Sequence, residues 1–190
     1  MCIRDRLNSS QKREVSDLLD EFSSILTDIP GCTTIEKHKI DLLTDVPIKV
    51  KPYKLPCESE KVIDSEVKSL LDMGVIQPST SPYSAPLVLV KKKDNSWRPC
   101  VDFRKLNQYC LGDASPINDP ETLFAKLKTA KYFTKFDLAK GYFQIKMDEE
   151  SIKYTAFATN SGLYEFVRMP FGLKNAPATF NRMMRKLFDL

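Results

Sequence analysis

Residues 136–145 read Phe136-Asp137-Leu138-Ala139-Lys140-Gly141-Tyr142-Phe143-Gln144-Ile145, and this stretch decides how the chain is interpreted. It continues an aromatic-rich run, residues 132–138, that predicts a β-strand. Asp137 stands near the end of that strand, where a rigid backbone can hold a carboxylate for Mg²⁺. Gly141 would let the backbone approach a ligand closely, with the ring of Tyr142 beside it. An ordinary turn aspartate and a half-buried packing tyrosine remain open as alternatives.

Upstream of this stretch, two β-prone runs at residues 86–92 and 98–103 flank the turn Asp94-Asn95-Ser96 and predict a hairpin. The hairpin carries lysines at 91–93 and an arginine, Arg98, near its tip. Several cations on one tip are typical of a phosphate clamp. A soluble turn whose lysines extend into solvent would have the same composition.

Downstream, the runs 154–158 and 163–169 flank Asn160-Ser161-Gly162 and predict a second hairpin. Residues 169–177 then form a loop punctuated by glycine and proline, which leads into a helix beginning at Asn175. Backbone N–H groups at the start of a helix can bind an anion. A loop that only caps the helix, with Asn175 as the cap, would have the same sequence pattern.

The N-terminal third predicts a helix followed by extended chain. Asn8 and Gln11 fit a capping box, and apolar residues continue at helical spacing as far as Leu26. Pro30-Gly31 should end this helix, and residues 32–57 read as extended because they contain three prolines.

Two more helices are expected between this segment and the central stretch. One runs from Ser59 to Met73, with Gly74 in the place of a C-terminal glycine cap. A shorter one begins with Asp119 as its cap and Pro120 in its first turn.

Composition indicates a globular chain: 190 residues, 42% hydrophobic and 28% charged, with a net charge of only +4. The charge is uneven. Residues 86–110 contain six Lys/Arg and two Asp, and residues 168–190 contain five Lys/Arg and one Asp. Each of these two clusters therefore has a net charge of +4, and the rest of the chain has a net charge of −4. Two local basic clusters indicate an anionic partner such as a phosphate chain, whereas ordinary solvated faces would also account for them.

Several functional classes are excluded. No run of 18 apolar residues could span a membrane, and the first six residues lack the apolar core of a secretory signal. A single histidine, His38, and widely spaced cysteines do not form a zinc-binding or disulfide pattern, so we expect reduced thiols in an intracellular protein. The cysteines are Cys2, Cys32, Cys57, Cys100 and Cys110.

Taken in order, these segments resemble the reverse transcriptase of gypsy-type long-terminal-repeat retrotransposons. The similarity extends from about residue 7 to residue 190. The segments that carry it are residues 76–86, 87–94, 101–107, 136–145, 155–157 and 169–180.

The resemblance implies an α+β fold, the right-hand fold of polymerases, in a truncated form. This form would contain the fingers and the first half of a ferredoxin-like palm. We expect a possible non-family scar at residues 1–6, then an N-terminal helix and extended lead-in at 7–57. Fingers should follow at 58–130 and a partial palm at 131–190.

The resemblance also implies roles for individual residues. Asp137 matches the first metal-binding catalytic aspartate, and the backbone carbonyl of Leu138 would be a lesser ligand. The complete family enzyme uses two Mg²⁺ ions. Tyr142 matches the aromatic steric gate that excludes a ribose 2′-hydroxyl.

The remaining implied residues would bind the incoming nucleotide. Lys92 and Arg98 match the cations of the fingers that contact the triphosphate. Phe171 and Gly172 match the loop that backs the nucleotide, and Phe171 stands where retroviral enzymes usually have glutamine.

The implied activity is RNA-directed DNA polymerisation by nucleotidyl transfer. The implied partners are an RNA or DNA template with its primer and deoxynucleoside triphosphates, with no membrane. The implied location is the cytoplasm or a virus-like particle, and the parent polyprotein would add protease, RNase H and integrase.

One family motif is missing from this sequence. The second pair of metal aspartates, in a YxDD hairpin, has no match, because no two aspartates are adjacent anywhere. We therefore expect a fragment or degenerate copy that is inactive alone. The alternative is a non-catalytic nucleic-acid-binding protein derived from a retroelement, which would use the two basic clusters.

Overall fold

A computed structural model of the chain describes residues 7–54, 56, 59–92, 95–115, 120–128 and 130–188. Five α-helices and seven short strands are found in these ranges. The helices are α1 (Ser9–Glu21), α2 (Ser59–Asp72), α3 (Arg104–Tyr109), α4 (Pro120–Leu127) and α5 (Ala176–Phe188). The strands are β1 (Thr33–His38), β2 (Ile76–Pro78), β3 (Leu87–Lys91), β4 (Trp97–Val101), β5 (Ile145–Met147), β6 (Phe157–Thr159) and β7 (Gly162–Phe166). Short 3₁₀ turns occupy Ser23–Ile25, Gly141–Gln144 and Ile152–Thr155.

The strands form three small sheets. β3 and β4 make an antiparallel hairpin, β2, β7 and β6 make an antiparallel sheet in that order, and β1 pairs in parallel with β5. Single bridges connect the extended lead-in to the rest, since Leu42 pairs with Cys110 and Lys49 with Ser84. The lead-in therefore contacts β5 through β1, and it contacts the residues just before the β3–β4 hairpin through Lys49.

One apolar core joins these sheets to α2. Ile63, Val67 and Leu70 recur at helical spacing on α2, and all three are buried. They pack into the same cluster as Phe157 and Phe166 of the three-stranded sheet. Burial of this stripe holds α2 in place, because a short helix gains most of its stability from tertiary packing.

Several local predictions are confirmed. The Asn8 side chain accepts a hydrogen bond from the backbone N–H of Gln11, and the Gln11 side chain accepts one from the N–H of Asn8. Gly74 adopts a left-handed φ of 61° just past α2. Both predicted hairpins are present, as is the final helix.

The first helix is shorter than predicted. It ends at Glu21 and tightens into the 3₁₀ turn Ser23–Ile25. Leu26, the last residue of the predicted apolar stripe, is 52% exposed. A further helical turn would therefore gain little from burial of this side chain, and a short helix gains most of its stability from such packing.

The predicted strand at residues 132–138 is wrong. This segment is irregular, and its Phe136 side chain is 78% exposed. Aromatic residues favour strands because they pack on a pleated, half-buried surface. No strand in the described part of the chain pairs with this segment, so that propensity is not realised.

The second hairpin is also shorter than predicted. Tyr154 lies in the 3₁₀ turn Ile152–Thr155, and β7 ends at Phe166. The backbone N–H groups of Val167 and Arg168 both donate hydrogen bonds to the carbonyl oxygen of Val75. The chain therefore leaves the three-stranded sheet at Phe166, and Arg168 forms a single bridge with Lys146 of β5.

Some predicted features lie outside the described residues. Asp119, the predicted cap of the short helix, is one of them, although α4 itself begins at Pro120 as expected. Asp94 of the first hairpin turn is another. None of the described helices is long and apolar enough to cross a bilayer.

A buried histidine connects β1 to α5. His38 is 1% exposed, and its Nδ1 lies 2.8 Å from Oγ1 of Thr179. Burial, with the nearby Arg182 guanidinium, lowers the pKa of His38 from 6.5 to about 4. The ring is therefore neutral in the folded protein at neutral pH.

This lowered pKa predicts a loss of stability in acid. Below pH 6.5 the unfolded chain binds a proton at His38 that the folded chain rejects until pH 4. The free energy of unfolding should fall by about 3 kcal/mol between pH 7 and pH 4 from this residue alone. Urea denaturation at both pH values measures it. The variant His38→Asn can still bond Thr179 but cannot titrate, so an equal loss in that variant would contradict the assignment.

Candidate nucleotide and nucleic-acid site

An asparagine of α3 makes two hydrogen bonds to the backbone of the loop before α5. Asn107 donates through Nδ2 to the carbonyl oxygen of Gly172 at 2.8 Å. Its Oδ1 accepts a hydrogen bond from the backbone N–H of Lys174 at 2.9 Å. Gly172 has φ +92°, which a side chain would strain, so glycine is required at this turn. The loop consequently holds Phe171 in a defined, 43% exposed position.

Three of the predicted site residues meet at Phe171. The ring of Tyr142 stacks on it, with the centroids 5.0 Å apart and the planes at 24°. The guanidinium carbon of Arg98 lies over the same ring, 5.4 Å from its centroid. Arg98 is on β4, Tyr142 is in the 3₁₀ turn Gly141–Gln144, and Phe171 is in the loop before α5. The fold thus joins three segments that are far apart in sequence.

The 3₁₀ turn is also packed closely against α5. Tyr142 contacts Phe180 with ring centroids 5.4 Å apart. A Cβ on Gly141 would lie 3.1 Å from the Phe180 ring, which is closer than ordinary contact. Gly141 therefore serves this close packing, which positions the neighbouring tyrosine.

A cavity of about 170 Å³ opens beside the stack. Its apolar wall comes from α2 and from the three-stranded sheet, and includes Val67 and Phe157. Its exposed side carries Glu66, Arg98 and Lys140. The cavity therefore combines an apolar wall with two cations and one carboxylate.

Asp137 lies in the exposed segment before the 3₁₀ turn, and Leu138 beside it is 39% exposed. Asp137 has no hydrogen bond or ion pair within the described ranges. Nor do those ranges contain a group of three His, Cys, Asp or Glu residues that could hold a metal ion. One carboxylate with one backbone carbonyl fits a Mg²⁺ ion that takes its other ligands from phosphate and water. The described residues do not supply ligands for two ions.

Lys92 lies apart from the stack. Its backbone N–H donates to the carbonyl oxygen of Ser96 at 2.8 Å and closes the hairpin turn. Asn95 makes that turn with a left-handed φ of 65°. Arg98 pairs with Val90 further down the hairpin, so Lys92 is nearer its tip than Arg98.

Sequence reasoning missed two elements that stabilise the site. The helix α3 and its Asn107 were not predicted, although residue 107 ends one of the segments that carry the resemblance. Asp102, two residues before α3 begins, accepts hydrogen bonds from Arg104 and from Tyr53 of the lead-in. Hydrogen bonds from Arg104, and to a lesser extent from Tyr53, lower the pKa of Asp102 to about 2. Burial acts in the opposite direction and raises this pKa, but its effect is smaller than that of Arg104.

A second missed cluster connects α5 to the lead-in. Arg182 makes ion pairs with Glu36 of β1 and with Asp113. Lys186 also pairs with Glu36, at 2.5 Å. Neither composition nor periodicity could identify partners that are 69 to 150 residues apart.

The exposed ring of Phe171 and the guanidinium of Arg98 thus meet on a glycine-containing loop beside the β3–β4 hairpin. The family described as reverse transcriptase (RNA-dependent DNA polymerase) matches residues 90–190. The Pol polyprotein of the Drosophila melanogaster transposon 297 is 40% identical over 96% of this chain and 18% of its own length. The corresponding protein of the transposon gypsy is 35% identical over 92% of this chain and 18% of its own length.

Solved structures agree with these relatives. The protease–reverse transcriptase of prototype foamy virus has a TM-score of 0.85 and 27% identity, covering 97% of this chain and 25% of that one. The foamy viral enzyme in complex with an RNA/DNA hybrid has a TM-score of 0.86 at 24% identity, over the same shares. The chain belongs to the reverse transcriptase family, and it is similar to one segment of retrotransposon Pol polyproteins. It spans about a fifth of the length of the curated relatives it matches.

Proposed function

We propose that this chain supplies the fingers and part of the palm of an RNA-directed DNA polymerase. It would bind a deoxynucleoside triphosphate beside a template and primer. The observation that carries the proposal is the convergence of Arg98, Tyr142 and Phe171 next to a cavity. A guanidinium stacked on a ring keeps its N–H groups free to bind phosphate, while the rings present flat apolar surface to a sugar and base.

Nucleic acid is the proposed macromolecular partner. Two segments, residues 86–110 and 168–190, each carry a net charge of +4. The first contains the β3–β4 hairpin and the second contains α5. The foamy viral relative was solved with an RNA/DNA hybrid, which supports the same kind of partner here. Binding through phosphates should weaken steeply as salt is raised.

Asp137, with the backbone carbonyl of Leu138, would hold Mg²⁺ in this proposal. When bound, the ion would supply Lewis-acid stabilisation of the charge on the triphosphate. The chain's own residues would do the positioning: Arg98 from the fingers, and the rings of Tyr142 and Phe171 from the palm.

Primer extension by the longer Pol polyprotein that contains this chain tests the proposal. Arg98→Ala should raise the KM for deoxynucleotides about 10- to 100-fold, since a hydrogen bond to a charged group contributes about 1.5–3 kcal/mol. Arg13→Ala, on the exposed helix α1, removes the same charge as a control and should leave KM unchanged.

Two results would contradict the proposal. An unchanged KM in Arg98→Ala would remove the triphosphate role of the fingers. Salt-dependent binding of template–primer with no extension under any condition would instead favour the non-catalytic nucleic-acid-binding protein.

A further inference from the structure

Lys140 has a backbone conformation that its side chain does not favour. It adopts φ 47° and ψ 49°, the left-handed region, immediately before the 3₁₀ turn that carries Tyr142. The other described non-glycine residue with positive φ is Asn95, in the hairpin turn, where this conformation is common. Left-handed residues other than glycine and asparagine are uncommon and cluster at functional sites. A lysine at this position therefore requires an explanation.

Among the residues that the structure describes, the ammonium group of Lys140 has only a weak partner. Its Nζ lies 3.2 Å from Sδ of Met73, at the end of α2. A thioether sulfur is a poor hydrogen-bond acceptor for a cation with three donors. Glu66 lines the same cavity, but within the described part of the chain it makes no ion pair with Lys140. The ammonium group thus keeps most of its capacity to bind an anion.

Lys140 and Arg98 line one cavity from different parts of the fold. Arg98 projects from the β3–β4 hairpin and lies over Phe171, whereas Lys140 lies immediately before the turn that contains Tyr142. Neither cation is neutralised by a carboxylate within 4 Å among the described side chains. Two such cations beside one cavity form a site for a ligand with several negative charges.

We propose that the Lys140 ammonium is a palm-side ligand of the incoming nucleotide's triphosphate, which it binds together with Arg98 of the fingers. The inference rests on the proposed function and adds a residue to its nucleotide site. On binding, Nζ would exchange the Met73 sulfur for a phosphate oxygen, which is a far stronger acceptor. A lysine suits this role because its point charge does not demand the planar geometry of a guanidinium.

A structural role is the competing explanation. The contact between Lys140 and Met73 also connects α2 to the 3₁₀ turn, so its loss could act only through stability. The variant Lys140→Asn separates these roles, because asparagine tolerates left-handed φ but carries no charge. Its Tm should stay at or above that of the parent protein while nucleotide affinity falls.

Steady-state primer extension by the longer Pol polyprotein is the test. Lys140→Met and Lys140→Asn should each raise the deoxynucleotide KM about 10-fold or more, with kcat changed less than about threefold. Inhibition by inorganic tripolyphosphate should weaken by a similar factor, since that probe lacks sugar and base. Lys140→Arg should remain within about threefold of the parent, because it keeps the charge. Lys12→Met, on exposed α1, is the charge-matched control.

The outcomes are distinguishable from those for the proposed function. If Arg98→Ala raises KM and the Lys140 variants do not, the Lys140 inference is wrong and the proposed function stands. If KM rises but tripolyphosphate inhibition does not change, Lys140 contacts sugar or base and the phosphate assignment is overturned. If neither Arg98→Ala nor the Lys140 variants alter KM, the proposed nucleotide site itself is wrong.

Discussion

Replacing Asp137 with asparagine is expected to abolish primer extension by the longer polyprotein, with kcat lowered at least about 10³-fold. Asparagine has nearly the same shape, so the change removes a negative charge and little else. A loss of this size corresponds to about 4 kcal/mol of transition-state stabilisation, the range in which metal-ion catalysis acts.

The location of Asp137 makes this variant informative. The carboxylate is exposed and has no partner in the described structure, so its neutralisation should not disturb folding. Template–primer affinity should stay within about twofold of the parent, because the proposed phosphate contacts are made by basic side chains elsewhere. Unchanged binding combined with lost extension is the signature of a group that acts on the reacting atoms.

Asp17→Asn provides the matched control for this experiment. Asp17 lies on α1, is exposed, and belongs to a helix with no buried residue. Extension should be unaffected in this control. Full activity in Asp137→Asn would remove the metal assignment from Asp137. Equal losses of binding and extension would point instead to damage to the nucleic-acid surface.

Local signals in the sequence were sufficient for most of the secondary structure. Asn8 with Gln11 predicted the start of α1, and Gly74 predicted the end of α2, because capping chemistry is decided within a few residues. The residues 132–138 show the limit of this reasoning. Their aromatic content favours a strand, but a strand also needs a neighbour to hydrogen-bond with, and local composition does not specify one.

The sequence predicts candidate site residues but not their arrangement. The resemblance implies nucleotide-binding roles for Arg98, Tyr142 and Phe171, which stay predictions, and the stacking of these side chains is visible only in the folded chain. Asn107 was missed because its partners Gly172 and Lys174 are at least 65 residues away. An amide that satisfies two distant backbone groups leaves no periodic or compositional signal in the sequence.

Replacing Tyr142 with valine is expected to weaken discrimination against ribonucleotides by roughly 10- to 200-fold, measured as the ratio of kcat/KM values for dNTP and rNTP. The ring is half-buried, with Phe171 on one side and Phe180 on another, so it is held in a fixed position. A rigid ring can exclude a 2′-hydroxyl by steric overlap, whereas valine would leave space for it.

Two companion variants distinguish exclusion from packing. Tyr142→Phe keeps the ring and should retain sugar selectivity, because the overlap comes from the ring and not from its hydroxyl. Phe180→Leu removes one packing partner and leaves the ring of Tyr142 in place. If Phe180→Leu lowered selectivity as much as Tyr142→Val, the position of the ring would be the sensitive quantity. If Tyr142→Val left selectivity unchanged, Tyr142 would be a packing residue, because a side chain that bounds the sugar cannot lose its ring without admitting the larger substrate.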